Sequence, residues 1–461
     1  MGRINMNILS RPVLLYFALL GFHHTVNAEL APNGSLIMNE QEQISFVLAL
    51  SDAIQDHPIA LEAYSLVAES QAMLDAIRSN QKPQIKLQTN TRNSLEQRFE
   101  NPLSALTESS RDKHRSDGSL IIQQSIFDQS IKKKIAKQEK IKQADLSGKQ
   151  QKITELTLQM ALSCQNTAVF HMVGKLIEDS IKSHHEISER IRMRVESGRA
   201  VSAELSRANA RLAEAEAKAM AMDLNLRTAT AEFNQLLPGS SPCEKLFPID
   251  PDYLVTDRET LLIEMQNNFS LQQADNLIAA AEHELARAKA GLMPKISAEL
   301  RGDRYDLSGD RNYDIYAGVN FDFDLYTGGR KSSMIRVAKE QMNAAVFRKD
   351  ILVKELTAQV EANIAELDNS QARIKAFTSA YSAYTESKDK LRLQFESANV
   401  SLLELLQAER DHLESAELLL MNHKSILSAH LKQLFLLGQL NNYFNAWTAN
   451  HSPDQGGSLE Q

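Results

Sequence analysis

The stretch Gly318–Ala345, GVNFDFDLYTGGRKSSMIRVAKEQMNAA, changes character in its middle. Val319, Phe321, Phe323 and Leu325 alternate with Asn320, Asp322 and Asp324. A period of two puts the first set on one face of a β-strand and the polar set on the other. After Thr327-Gly328-Gly329 the apolar residues take up a helical spacing, with Met334, Val337, Ala338, Met342 and Ala345 on one stripe. A strand with an oily face that runs straight into a long helix is unusual in a water-soluble domain.

The flanking sequence carries the same pattern. Ile85, Leu87, Thr89 and Thr91 alternate with Lys86, Gln88, Asn90 and Arg92, and Leu120 to Phe127 reads as the returning strand after a charged loop from Asn93 to Asp117. A third strand is expected at Ile296, Ala298 and Leu300, separated from the fourth by a loop from Asp306 to Tyr313. Between these pairs proline disappears, with none from Pro102 to Pro238 and none from Pro294 to Pro453. Ser130 to Val195 therefore reads as one helix of roughly 100 Å. Ser197-Gly198-Arg199 breaks it, and an alanine-rich helix returns to Leu237.

Two halves of the chain match at an offset of 200, in Glu196/Glu396, Ser197/Ser397, Glu204/Glu404, Leu205/Leu405, Ala208/Ala408 and Glu214/Glu414. A period this long is a duplicated domain, not a solenoid unit. Each repeat reads as helix, strand, strand and long helical hairpin. The expected boundaries are 44–239 for the first repeat, 240–257 for a linker and 258–440 for the second. A flexible segment, 29–43, precedes them and a polar tail, 441–461, follows.

Residues 1–28 read as a secretory signal, with Arg3 and Arg11 in the positive region, an apolar run from Pro12 to Phe22, and Val26-Asn27-Ala28 at the cleavage site. The whole sequence of 461 residues has 51 basic against 59 acidic side chains, a formal net charge of −8. Such a chain is a poor partner for nucleic acid. No later apolar run is long enough for a transmembrane helix. An exported chain of this kind either stays soluble, its strands forming an ordinary sheet with one core face, or enters a membrane as β-strands, in which case four strands with open edges must close with other copies.

The segments DHPIALEA (56–63), QKPQIKLQ (81–88), SIFDQSIKKKIAKQ (125–138), VESGRAVSAELSRANARLAEAE (195–216), FDLYTGGRKSSMIRVAKEQ (323–341) and FESANVSLLELLQAERDHLESAE (395–417) resemble the TolC-type outer-membrane efflux and secretion proteins. The resemblance covers nearly all of the mature chain. It implies a mainly α fold with a transmembrane β-barrel part: a homotrimer with a twelve-stranded barrel in outer-membrane lipid and a tapering α-helical barrel in the periplasm. The implied function is the exit duct of a tripartite efflux or type I secretion system, fed by a periplasmic adaptor protein and an inner-membrane ABC or RND-type transporter. No cysteine follows the cleavage site, which resembles the secretion-type and TolC branches more than the lipid-anchored multidrug channels.

Carried onto this chain, the resemblance makes Ser197, Gly198, Arg199, Ser397, Ala398 and Asn399 the periplasmic tips where the adaptor docks. It makes Glu204, Phe395, Glu404 and Gln407 the constriction, and Val319, Phe321, Phe323 and Leu325 a lipid-facing strand. Phe395 stands where the family has a tyrosine and Val400 where it has an arginine, so the family's tyrosine–arginine lock is not expected in that form. Glu204 and Glu404 read either as an acidic ring or as solvated charges on a helix face. Cys164 and Cys243 either pair as a disulfide in an oxidising compartment or remain two buried thiols.

His184-His185-Glu186 reads as exposed polar side chains, because adjacent histidines point apart on a helix and no third ligand follows at helical spacing. No nucleophile–base set or phosphate loop stands out, so neither catalysis nor a cofactor is expected. The alternative function is a periplasmic coiled-coil adaptor or scaffold without a barrel.

Overall fold

The computed structural model describes residues 36–93, 95, 114–250, 253–305, 312–397 and 400–451. The expected signal peptide and the tip residues Ala398 and Asn399 lie outside the described residues. The first half runs α1 (Glu40–Asp56), α2 (Pro58–Ser79), β1 (Gln84–Asn93), β2 (His114–Phe127), α3 (Gln129–Glu196) and α4 (Ser202–Leu236). The second runs α5 (Arg258–Glu264), a 3₁₀ turn (Met265–Asn267), α6 (Phe269–Ala290), β3 (Lys295–Tyr305), β4 (Asn312–Asp322), α7 (Arg330–Glu396) and α8 (Leu402–Leu436), and α9 (Leu440–His451) follows. The long helices match closely, 68 residues in α3 against 67 in α7, and 35 in both α4 and α8.

Local sequence explains the ends of these helices. Asp128 opens α3 by accepting hydrogen bonds from the backbone N–H of Ser130 at 2.8 Å and of Ile131 at 3.3 Å. At the other end Gly198 takes φ 70°, and the amides of Gly198 and Arg199 bond back to the carbonyls of Val195 and Arg194. That pair of bonds is a Schellman closure, for which glycine avoids the Cβ clash of a left-handed residue. Gly438 closes α8 in the same way, with bonds from Gly438 to Phe435 and from Gln439 to Leu434.

One compact unit comprises Glu62–Gln150 and Phe269–Lys354 and contains all four strands. They form an antiparallel sheet in the order β1-β2-β3-β4. Register decides the character of its faces. Ile85 lies opposite Ile122, Ile122 opposite Leu300, and Leu300 opposite Ala317; Leu87 pairs with Leu120, and Phe321 with Ile296. One face is therefore apolar across all four strands, and Ile85, Leu87, Leu300, Ile315, Val319 and Phe321 are exposed on it. The opposite face is polar and cross-linked. Ser119 donates to Asp303 at 2.5 Å, Arg301 pairs with Asp303 at 2.9 Å, and Asn320 donates to Glu299 at 3.2 Å.

The other unit takes residues up to Leu61, Gln151–Asn268 and Glu355 onward, and is helical. Its largest core joins Phe46, Val47 and Leu50 of α1 to Leu156, Met160 and Cys164 of α3, with Phe233, Leu431 and Leu434. Phe247 from the linker lies at its centre, with ring centroids 5.4 Å from Phe46 and 5.6 Å from Phe444. The buried Gln165 amide donates to the Phe247 carbonyl at 2.7 Å. Cys164 and Cys243 form a disulfide, with Cα atoms 5.2 Å apart, so the alternative of two free thiols does not hold.

Several expectations are corrected. The segment assigned as flexible, 29–43, enters a helix at Glu40, where Asn39 and Glu42 form a capping box. Just before it Leu36 and Met38 are buried, because Ile37 bridges to Leu246 of the linker. The polar tail, 441–461, begins as α9, and its Tyr443 and Phe444 are buried in the main core. Strand β2 starts at His114 and β4 at Asn312, inside the expected loops. Since β4 ends at Asp322, Phe323 and Leu325 lie beyond the strand to which they were assigned. The Gly328-Gly329 turn, at φ 60° and 84°, needs that length of chain to redirect the backbone into α7.

Candidate functional site

The two interhelix turns of the helical unit carry the expected tip and constriction residues. Gly198 has nothing within 4 Å of an added Cβ, so its requirement is the left-handed backbone and not space. Ser197 caps the turn by donating its hydroxyl to the Met193 carbonyl at 2.9 Å, and Ser397 does likewise to Gln394 at 2.9 Å. Beyond the second turn Ser401 and Glu404 form a reciprocal capping box. The first repeat has Val201 in place of Ser401, and α4 starts with no side-chain cap. The Glu404 carboxylate is thus engaged by its own helix start, while Glu204 has no such partner in the cap.

Phe395 is 3% exposed, packed among Ile187, Ile191, Ala208, Leu402, Leu405 and Leu406. The Arg194 guanidinium lies 4.6 Å from the centre of its ring and donates to the Phe395 carbonyl at 3.0 Å. This is a cation–π contact between the end of α3 and the end of α7. Arg190 pairs with Glu396 at 2.8 Å, and Arg392 pairs with Glu186. Gln407 is exposed and donates to both carboxylate oxygens of Asp411, at 2.8 and 3.0 Å, placing an acid one turn further along α8.

A buried polar cluster lies behind these pairs. Glu409 is almost fully buried, accepts from the Ser183 hydroxyl at 2.7 Å and has Arg392 at 4.0 Å. His184 is 6% exposed, against the expectation of an exposed side chain, because helix periodicity turns it inward while His185 faces out. Burial pushes the His184 imidazole below its ordinary range, and the Glu409 carboxylate only partly offsets this. Among the described residues no group of three or more His, Cys, Asp or Glu is placed to hold a metal.

The sequence singles out Phe395, Glu204, Glu404 and Gln407 as constriction candidates, and the structure places them near the two turns; Arg190, Arg194, Glu396, Arg392 and Glu409, which pair around them, are not singled out there. Their partners are about 200 positions away, and no local spacing reveals them. The repeat itself carries a faint signal. Arg192 pairs with Glu189 and Glu196 on its own helix, whereas its counterpart Arg392 reaches across to Glu186.

Residues 263–439 match the family model of outer membrane efflux proteins. The outer membrane efflux protein BepC of Brucella suis is 21% identical over 246 residues, 52% of this chain and 53% of the relative, so the match spans about half of each. The fold is similar to that of the outer-membrane channel OprN, with a TM-score of 0.75 at 14% identity, covering 87% of this chain and 92% of that one. The outer membrane protein VceC of Vibrio cholerae gives 0.74 at 15% identity, covering 85% and 96%. The Campylobacter jejuni outer membrane channel CmeC gives 0.76 at 12% identity, covering 89% and 90%. The family match falls on the second repeat, and the fold is similar to that of these outer-membrane channels.

Proposed function

We propose, from an outer membrane efflux protein match over residues 263–439 on a channel fold, that the chain is one protomer of an outer-membrane exit duct. The sheet stands in outer-membrane lipid and the long helices in the periplasm. The observation that carries this reading is the register of the sheet. Four strands share one apolar face, while β1 and β4 each have an edge with no partner strand among the described residues. Hydrocarbon tolerates such a face but not such edges, so β4 of one copy pairs with β1 of the next until the barrel closes. Three copies supply the twelve strands that the family resemblance implies. A coiled-coil adaptor or scaffold has no use for this sheet.

The helices support the same assembly. Met220, Leu224, Phe347, Ile351 and Leu393 are exposed in one chain. Only four residues of α4 are buried, against seventeen of α8, so α4 keeps a face for a neighbouring protomer. In this reading the turns at Ser197–Arg199 and Ser397–Asn399 meet a periplasmic adaptor, which links the duct to an inner-membrane transporter of the ABC or RND type. Glu204, Glu404 and Gln407 form the constriction, with Phe395 buried among the helices and not lining it, and the glutamate carboxylates from three copies make an acidic ring.

Light scattering of the detergent-purified protein, with detergent mass subtracted, is expected to give a trimer that fractionates with outer membranes. A monodisperse monomer would overturn the reading.

A further inference from the structure

At the junction of strands and helices in the sheet-bearing unit, a cavity of about 410 Å³ opens on the polar side of the sheet. Gln84, Gln123 and Ser297 line it from β1, β2 and β3, and their register places them on the face opposite Ile85 and Leu300. Lys82, Lys134 and Arg287 line it too, and no carboxylate does. Lys82 and Lys134 have no ion-pair partner among the described residues. Arg287 shares Glu284 with Lys137, at 2.6 and 3.3 Å. The hydrogen bond from Arg287 is the main reason that the Glu284 carboxyl is held down at about 2, so this one acid remains ionised between two cations. Asp128, two residues before Ser130, is occupied in capping α3.

Gathering cations around a concave surface is unfavourable unless an anion neutralises them, because like charges in a cleft repel and focus their field. This concentration occurs in a chain whose overall charge is −8. A neighbouring cavity, which shares Ser130 and Arg287 with the first and is lined also by Lys295, Arg330 and Lys331, balances its cations with Glu284, Asp322 and Asp324. The first cavity has no such balance on its walls.

We propose that the cavity lined by Lys82, Lys134 and Arg287 binds clustered anionic oxygens, such as phosphate groups, on molecules passing along the polar face of the sheet. The lysines act as mobile point charges, and Gln84, Gln123 and Ser297 supply neutral hydrogen bonds beside them. The inference rests on the polar face being the duct wall. Trimer symmetry then repeats the cavity around the lumen.

The test uses inorganic pyrophosphate as the probe, titrated calorimetrically into the detergent-solubilised full chain. Binding is expected to weaken at least about tenfold in K82Q/K134Q, which loses two charge-assisted contacts. It should persist in K82R/K134R. It should also persist in K132Q/K133Q, which removes the same charge outside the cavity lining. Each variant is checked for wild-type circular dichroism first. Absence of binding to the native chain, or equal weakening in both glutamine pairs, overturns the site, the latter by showing only a diffuse field. Planar-bilayer recordings separate the two readings. Pyrophosphate block lost only in K82Q/K134Q supports both, whereas pyrophosphate binding without conductance in any variant supports the site and removes the duct.

Discussion

Leu300 occupies the middle of β3, with Ile122 and Ala317 directly beside it on the apolar face. A lysine there puts a charge at mid-membrane and is expected to cost about 2–4 kcal/mol, seen as loss of assembled protein from the outer membrane. Phe321 is 66% exposed but lies one residue from the end of β4, so Phe321→Lys should cost only about 0–1 kcal/mol. Glu299→Lys, on the opposite face, should assemble normally. If Glu299→Lys fails while Leu300→Lys assembles, the faces are reversed. A second residue-scale effect concerns pH. Burial holds His430 down at about 4, and burial with help from Lys388 does the same for His412. The unfolded chain binds these protons near 6.5, so below that pH the unfolded state takes up more protons than the folded one. Their stabilising contribution is complete above about pH 6.5 and is lost as the pH falls towards about 4. Thermal melts followed by circular dichroism should show this slope, and His430→Gln should flatten it.

The elements were legible where a period runs unbroken. The helices of 68 and 67 residues announce themselves through missing proline, and the strand–Gly-Gly–helix junction through its change of period. Both ends of the chain were harder. The Leu36–Met38 strip and α9 carry too few apolar residues for a pattern, and they become ordered only because Leu246 and Phe247 give them a surface. The linker was visible from its prolines, but its burial was not, since that depends on Gln165 and the disulfide. The bridge closes a stretch with a sequence separation of 79 and ties the linker to α3. Replacing both cysteines, Cys164→Ser with Cys243→Ser, should lower stability by about 2–4 kcal/mol. A matching fall in melting temperature is expected for the native chain under reductant, and an unchanged melting temperature in both would show that the bridge adds nothing.

At the scale of the molecule, the proposed acidic ring of Glu204 and Glu404 has the sharpest electrical consequence. Carboxylates from three copies attract cations, so single-channel currents should be cation-selective and blocked by trivalent cations from the periplasmic side. Glu404 is held by its capping box, so Glu204→Gln alone should remove more of the block than Glu404→Gln, and the double variant nearly all of it. Block unchanged in the double variant would mean that these are ordinary solvated helix charges. The sheet has another consequence, for the order of events during biogenesis. Strand β2 pairs with β3, joining Gly118–Phe127 to Ile296–Arg304, so that Ser119 meets Asp303 at a sequence separation of 184. While the nascent polypeptide is being exported, the β1–β2 hairpin waits with a bare edge and an oily side until the second repeat emerges. An isolated hairpin is marginal in water and prone to mispairing, and late non-local closure is slow. The duplicated halves, alike in sequence plan, are therefore not independent folding units: the earlier half keeps an unpaired strand edge until its later twin arrives.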